Sequence, residues 1–332
     1  MIQQSYEGKP GRATDILVLL KRNNSHFQSS RDIAAALSIT RQNVYDAISY
    51  LRSAGYEIEA NRKEGYKLIK VPDNLSPVEI AAGLPCKFLG SRIYSYKSIS
   101  STNIIAQDLA KSGYPEGTLI VTDTQTKGKG RLGRKWHSPS GKGLYFSVIL
   151  KPNLPPDRIA GLALVTGLAV VRAIGDITGV KTKTKWPNDV LYKSRKIAGI
   201  LVEMAGDLDR IEYMVLGCGV NINHERKDFP LSLQMKAVSL RQITRKVNSR
   251  VEVLQGILKQ LERLYENYLK HGFKYLSNEL VENSAVIGKR ITLTIGKTKV
   301  SGKAVGFDDF GRLLIKNKSG LMSYPGGEVT LR

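Results

Sequence analysis

Gly128-Lys129-Gly130-Arg131-Leu132-Gly133-Arg134-Lys135-Trp136 packs three glycines, four cations and an indole into nine residues. The runs on either side, 118–124 and 144–150, are apolar and rich in β-branched and aromatic residues, so they read as strands and the basic stretch as the loop between them. Glycine lets backbone N–H groups approach an anion closely, Lys and Arg neutralise phosphate oxygens, and an indole stacks on a purine ring. A flexible basic surface loop would have the same composition, so by itself the stretch leaves both readings open. Its spacing is not GxxxxGK[ST], which argues against a P-loop enzyme transferring a γ-phosphate.

Three further stretches flank it. Ser101-Thr102-Asn103 opens a helix, and Lys185-Trp186-Pro187-Asn188-Asp189 links two strands. Lys196-Ile197-Ala198-Gly199-Ile200-Leu201-Val202-Glu203 precedes Gly217-Cys218-Gly219-Val220-Asn221-Ile222-Asn223. Around them the pattern predicts helices at 77–84, 102–112 and 156–178, and strands at 92–96, 183–186, 189–192, 196–202 and 213–220. An amphipathic helix with Leu254, Ile257, Leu261, Leu264, Tyr265 and Tyr268 inward closes this central α/β domain built on a mixed sheet. From residue 285 onward, short alternating runs at 291–295, 300–305 and 313–316, separated by glycines, predict a small SH3-like β-barrel. The fold class is therefore multidomain α+β.

The amino-terminal part has its own pattern. Ile16, Leu17, Leu19 and Leu20 make one helical face; Ser29 or Ser30 caps a short helix over 31–37; and Thr40 caps a third running to about residue 54. Two β-like runs, 56–60 and 66–69, follow around a polar turn, giving a winged helix-turn-helix. Arg41, Gln42, Asn43 and Tyr45 on the third helix suit base edges and phosphates, and Arg62 and Lys63 stand at the wing tip. A module that contacts another protein would carry the same pattern.

Composition sets the outer bounds. The 332 residues include 51 Lys and Arg against 29 Asp and Glu, a net charge of +22 that attracts polyanions. The winged-helix segment is the least biased part, so charge alone does not single it out as the DNA binder. Two cysteines, Cys86 and Cys218, lack ligand spacing and are too few for a disulfide framework. The longest uncharged apolar run, 159–171, is too short to span a bilayer and is closed by Arg158 and Arg172, which predicts a buried helix and no membrane association. The first residues hold no apolar stretch of the secretory kind, so a cytoplasmic location is expected.

In their order and spacing the four stretches resemble those of the biotin-protein ligases, specifically the bifunctional kind that is also the biotin operon repressor. The likeness extends over essentially the whole chain, from Gly65-Tyr66-Lys67-Leu68 at the end of the wing to Pro325-Gly326-Gly327-Glu328. It implies three domains: 1–72, a winged helix-turn-helix; 73–283, the ligase; and 284–332, the β-barrel. It also implies an ATP-dependent, AMP-forming enzyme that uses Mg²⁺, makes biotinyl-5′-AMP and passes biotin to a lysine of the biotin carboxyl carrier protein of acetyl-CoA carboxylase. As a repressor it would form a homodimer when loaded with adenylate and bind operator DNA.

Carried over residue by residue, Ser101, Thr102, Asn103 and Gln125 are the polar contacts to biotin, and Gly128, Lys129, Gly130 and Arg131 fold over the adenylate. Lys185 bridges the biotin carboxylate and the α-phosphate, with Arg131 as the second catalytic candidate; the bland reading of Lys185 is a solvated strand lysine. Trp136 and Asn221 lie near adenine, and Arg134 meets phosphate or serves loop closure. Asp189 either helps place Mg²⁺ or caps its own turn, so the metal ligands stay open. Where the family loop often reads Gly-Arg-Gly-Arg-Arg-Gly, this chain has Lys129 and Leu132, losing one guanidinium fork and one charge. A lipoate-protein ligase would not be expected to combine this loop with the KWPND stretch. A non-enzymatic biotin sensor would tolerate loss of Lys185, and a single-function ligase would lack residues 1–72.

Overall fold

The computed structural model describes residues 4–6, 11–23, 26–207 and 211–331. Strand β1 (Gln4–Tyr6) is followed by helices α1 (Arg12–Arg22), α2 (Ser30–Leu37) and α3 (Arg41–Ser53) and by the wing, β2 (Glu57–Asn61) and β3 (Gly65–Lys70). The caps explain the helix starts. The Ser29 side chain accepts from the Asp32 N–H at 3.0 Å, and Thr40 and Asn43 form a reciprocal capping box at the head of α3. Ile16, Leu17 and Leu20 of α1, Ile33 of α2, and Val44, Ile48 and Leu51 of α3 meet in one buried core under Ile58 and Leu68 of the wing. The guanidinium of Arg52 donates to the Ile58 carbonyl at 2.7 Å and ties the wing to α3.

A short helix, α4 (Pro77–Ala82), joins this unit to the rest. Val78 packs in the amino-terminal core and Ile80 in the main core, while the buried Glu79 carboxylate accepts from Tyr56 Oη at 2.7 Å and pairs with Lys21 of α1. The two domains are thus held by apolar and charged contacts together.

The central domain runs β4 (Arg92–Ile99), α5 (Thr102–Lys111), β5 (Thr118–Gln125), β6 (Gly143–Leu150), α6 (Ile159–Thr178), β7 (Lys183–Lys185), β8 (Asp189–Tyr192), β9 (Arg195–Gly206), β10 (Ile211–Asn221), α7 (Leu240–Thr244), α8 (Arg250–His271) and α9 (Lys274–Glu282). Its eight-stranded sheet has the order β1-β4-β5-β6-β10-β9-β8-β7. The parallel pair β4/β5, joined by the α5 crossover, interrupts an otherwise antiparallel ladder. Strand alternation sends Met214, Leu216, Cys218 and Val220 of β10 into the main core with α6 and α8, and Tyr213 and Val215 to the face covered by α5.

Two expectations change here. The apolar segment is longer than the run 159–171 suggested: α6 is long and apolar enough to cross a membrane, but Leu162, Val165, Leu168 and Ala169 are fully buried in the main core. And residues 4–6, which the sequence grouped with the winged helix, add a strand to the edge of the central sheet at β4.

The carboxy-terminal domain is β-rich, as expected: β11 (Arg290–Ile295), β12 (Thr298–Phe307), β13 (Leu313–Asn317), β14 (Gly320–Tyr324) and β15 (Glu328–Leu331), in the antiparallel order β14-β13-β12-β11-β15. It seats on the central domain where Gly311 meets the backbone of Gly161 and accepts from the buried Trp186 indole at 3.2 Å.

Candidate active site

On the α5 side of the sheet a cavity of about 470 Å³ opens where α5 stops covering β10. The same alternation that places Tyr213 and Val215 under α5 brings Gly217, Gly219 and Asn221 to the cavity. Gly219 is in register with Gly199 of β9, and the two form a bare strip on which the Trp136 indole lies. A methyl group at Gly219 would sit 2.5 Å from the indole ring, so glycine here makes room for an aromatic plane. Gly219→Ala should push that plane outward and weaken binding of a flat aromatic ring in the cavity by about 10-fold or more. Calorimetric titration of a purine nucleotide into the parent and variant chains checks this.

At the other end lies a hydrogen-bonded wall. Gln125 donates to Ser138 Oγ (3.1 Å) and its carbonyl accepts from the Thr102 N–H (2.9 Å). Ser147 Oγ lies 2.7 Å from Thr102 Oγ1 and donates to Asn103 Oδ1 at 2.6 Å, and Asn103 Nδ2 donates to Glu203 at 2.7 Å. Gly217 leaves room for Asn103, whose Oδ1 would be 1.9 Å from a methyl placed there. The chain fixes the orientation of each amide and hydroxyl before any ligand arrives. Cys218, whose side chain falls on the core face, is inert as a nucleophile because burial pushes its thiol up to about 12.

The cavity holds an unusual share of cations. Lys196 ion-pairs with Asp189 at 2.6 Å and stands 5.2 Å from the Trp136 ring centre. The side chain of Lys185, half-buried on the cavity wall, makes no ion pair or hydrogen bond among the described residues. Its backbone is fixed because the next side chain, Trp186, is buried in the main core. The basic loop closes as a small hairpin: Gly130 N–H donates to the Arg134 carbonyl at 2.6 Å, Trp136 N–H to the Gly128 carbonyl at 2.9 Å, and Lys129 bridges Lys135. Arg131 donates to Asn188 at 3.2 Å, and Arg134 pairs with Glu328 of β15. Burial lowers the pKa of Arg131 from its ordinary value, and Asp189 and Glu328 offset part of that shift, so the guanidinium keeps its charge in a desolvated place.

Of the residues expected here, Ser101, Thr102, Asn103, Gln125, Lys129, Gly130, Arg131, Arg134, Trp136, Lys185 and Asn221 share the one cavity. Gly128 lies buried behind the wall, where a methyl group would meet the Trp136 carbonyl at 2.6 Å, so its part is to close the hairpin. Lys196, Ser138, Ser147, Glu203 and the β15 residues Glu328 and Thr330 were not foreseen. The alternating pair Gly217 and Gly219 in β10, with Gly199 in β9, was the one signal that pointed to a bare strip. Far from the cavity, Arg41, Gln42, Tyr45, Arg62 and Lys63 are exposed on α3 and the wing, whereas Asn43 is partly committed to its cap. Among the described residues no group of three or more His, Cys, Asp or Glu side chains gathers as a metal cage.

Segment 225–237 borders the cavity through Phe229 and Leu233, and behind it His224 is fully buried with its ring stacked on Phe229 at 4.7 Å. Burial, with the nearby His137, pulls the His224 pKa down to about 4. An unfolded chain binds this proton near pH 6.5, the folded chain only near pH 4, so stability present above pH 6.5 falls as pH drops through that window, by up to roughly 3 kcal/mol. Urea unfolding at pH 7 and pH 4.5 should show this loss, and His224→Gln should reduce it.

Comparison with known proteins agrees with this geometry. Residues 95–221 match the biotin/lipoate A/B protein ligase family, 12–67 an HTH domain, and 286–332 the biotin protein ligase C-terminal domain. The bifunctional ligase/repressor BirA of Bacillus spizizenii is 38% identical over 96% of this chain and 98% of its own; that of Escherichia coli is 28% identical over 93% and 94%. The biotin protein ligase of Aquifex aeolicus, solved with biotin and ATP, superposes with a TM-score of 0.63 at 33% identity, covering 72% of this chain and 98% of its own. With a ligase core, an HTH unit and this end-to-end likeness, the chain belongs to the biotin protein ligases, in the bifunctional ligase/repressor group.

Proposed function

We propose that the cavity binds biotin against the Thr102–Gln125–Asn103 wall and ATP over Trp136, makes biotinyl-5′-AMP, and passes biotin to a lysine of the biotin carboxyl carrier protein of acetyl-CoA carboxylase. The observation that carries this reading is the unpaired Lys185 ammonium on a cavity with an amide-rich end and an indole floor. A biotin carboxylate oxygen attacks the α-phosphorus, the bond to pyrophosphate breaks, and a fixed cation lowers the repulsion between the two anions and the charge growing on the phosphoryl oxygens. Arg131 and Lys196 add positive charge on the same wall, and the hairpin covers the mixed anhydride. In the second step the carrier lysine, as free amine, attacks the carbonyl, and AMP leaves with the bonding electron pair. Magnesium arrives on the ATP phosphates. Among the described residues that line the cavity, the carboxylates of Asp189 and Glu328 are both engaged in ion pairs, and Glu203 behind them accepts from Asn103, so no step is assigned to a protein-held metal.

The three segments 1–72, 73–283 and 284–332 divide the work into operator binding, ligation and closure of the site. Arg41, Gln42, Tyr45, Arg62 and Lys63 form the DNA face. Beyond residue 200, β9 has no neighbour on its β8 side among the described residues, and Met204 there is 54% exposed. An open edge of this kind pairs with a second copy of itself about a two-fold axis, giving the adenylate-loaded homodimer. With ATP, a carboxylase subunit and DNA as partners, the setting is the cytoplasm. Incubation with biotin, MgATP and carrier protein should give biotin on one carrier lysine, detected by avidin blot and peptide mass spectrometry, with one AMP released per biotin. Lipoate in place of biotin should give no product; lipoylated carrier would move the chain to the lipoate branch.

A further inference from the structure

The hydrogen-bonded wall of the cavity has a direction. Asn103 Nδ2 donates to the Glu203 carboxylate at 2.7 Å and reaches the Leu201 carbonyl at 3.4 Å. Both partners can only accept, so they hold the amide nitrogen on their side and send Oδ1 to Ser147. Oδ1 has no hydrogen of its own, and its 2.6 Å contact therefore takes the single hydrogen of Ser147 Oγ. Ser147 is left with lone pairs toward Thr102 Oγ1, 2.7 Å away, and that contact takes the Thr102 hydrogen. A second contact of Thr102 Oγ1, 3.2 Å to Oε1 of Gln125, competes for the same hydrogen. By either route the hydrogen points into the wall, and Thr102 turns lone pairs to the cavity.

One member sets this order. Thr102, Asn103 and Ser147 are buried and neutral, and each could run its bonds in the opposite sense by turning a hydroxyl or flipping an amide. Glu203 is the charged member, and as a carboxylate it accepts whichever way it turns. Strand β9 puts it there: Glu203 is in register with Val215 of β10, on the sheet face that α5 covers. Thr102 and Asn103 line the cavity, whereas Glu203 stands behind them. A buried chain of this kind polarises along its length, so the fixed end decides the sense of the other.

We propose that Glu203 is a positioning residue that makes Thr102 a hydrogen-bond acceptor, and so selects a ring with an N–H in this corner of the cavity over the same ring with oxygen there. That the ring is the ureido ring of biotin rests on the ligase reading; the direction of the chain does not. Calorimetric titration of the full chain compares biotin with the two carbamate analogues in which one or the other ureido N–H is replaced by a ring oxygen. The parent should bind at least one analogue about 10- to 100-fold more weakly than biotin, because a hydrogen bond is lost and oxygen meets lone pairs. Glu203→Lys puts a donor where the chain needs an acceptor. Asn103 then flips, the Ser147 hydrogen turns to Thr102, and the preference should shrink to about 3-fold or less. Glu203→Gln keeps an acceptor oxygen of the same reach and should keep the parent preference. Glu203→Met offers neither donor nor acceptor; it should fall between, and it decides the matter if the lysine variant folds poorly. A parent-like preference in both the lysine and methionine variants overturns the proposal alone. So does a loss of affinity equal for biotin and both analogues, the mark of a packing defect, or equal binding of all three by the parent. No binding of biotin by the parent would overturn the ligase reading and the proposal with it.

Discussion

Lys185→Ala slows biotin-dependent adenylate formation by roughly 100- to 1000-fold, the usual cost of removing one preorganised contact to developing charge. The size of the effect follows from the environment. Lys185 sits half-buried on the cavity wall, on a strand fixed by the buried Trp186, and no carboxylate neutralises it among the described residues. Its charge is therefore available to a ligand at little reorganisation cost. Lys196 cannot replace it, because that ammonium is held by Asp189 at 2.6 Å. The side chain carries no tertiary bond, so the melting temperature should stay within a few degrees of the parent. Single-turnover formation of adenylate, followed by acid quench and chromatography, measures the step directly. A parent-like rate would remove Lys185 from the mechanism.

Arg41→Ala, Arg62→Ala and Lys63→Ala together should weaken operator binding by about 1000-fold, roughly 10-fold for each lost contact, and lower the salt dependence by about one counterion per phosphate contact removed. All three side chains are exposed on α3 and the wing tip. Substitution is a cleaner test than deleting residues 1–72, because β1 pairs with β4 and the deletion would strip an edge from the ligase sheet. In the parent chain, affinity should rise with biotin plus ATP and depend on protein concentration as a dimer does. Two modest modules on a two-fold axis gain what one lacks. Fluorescence anisotropy with sedimentation checks both. Tight operator binding by the triple variant would place the DNA face elsewhere.

Much of this was legible in the chain because its signals are local. The caps at Ser29 and Thr40 mark helix starts within a residue or so. The basic glycine loop and the Lys185-Trp186-Pro187 stretch stand out whatever surrounds them. What escaped depends on distant partners. β1 is three residues long and exists through its pairing with β4, nearly ninety residues on. β14 shows no alternation because neither face is buried. Lys196 reads as the flank of an apolar strand, and only the β8–β9 register brings it to Asp189 and the indole. Ser147 and Glu203 are single polar residues within strands, and their part in the hydrogen-bonded wall is set by Asn103 of α5, which reaches both across the sheet.

The central claim is that one cavity joins biotin to the α-phosphate of ATP before any acceptor takes part. Exchange of labelled pyrophosphate into ATP, measured on the purified chain without carrier protein, tests it most directly. Exchange should require biotin, saturate with it, and fall by at least 100-fold in Lys185→Ala. Exchange that proceeds equally without biotin, or none at all with biotin and MgATP at saturation, would contradict it.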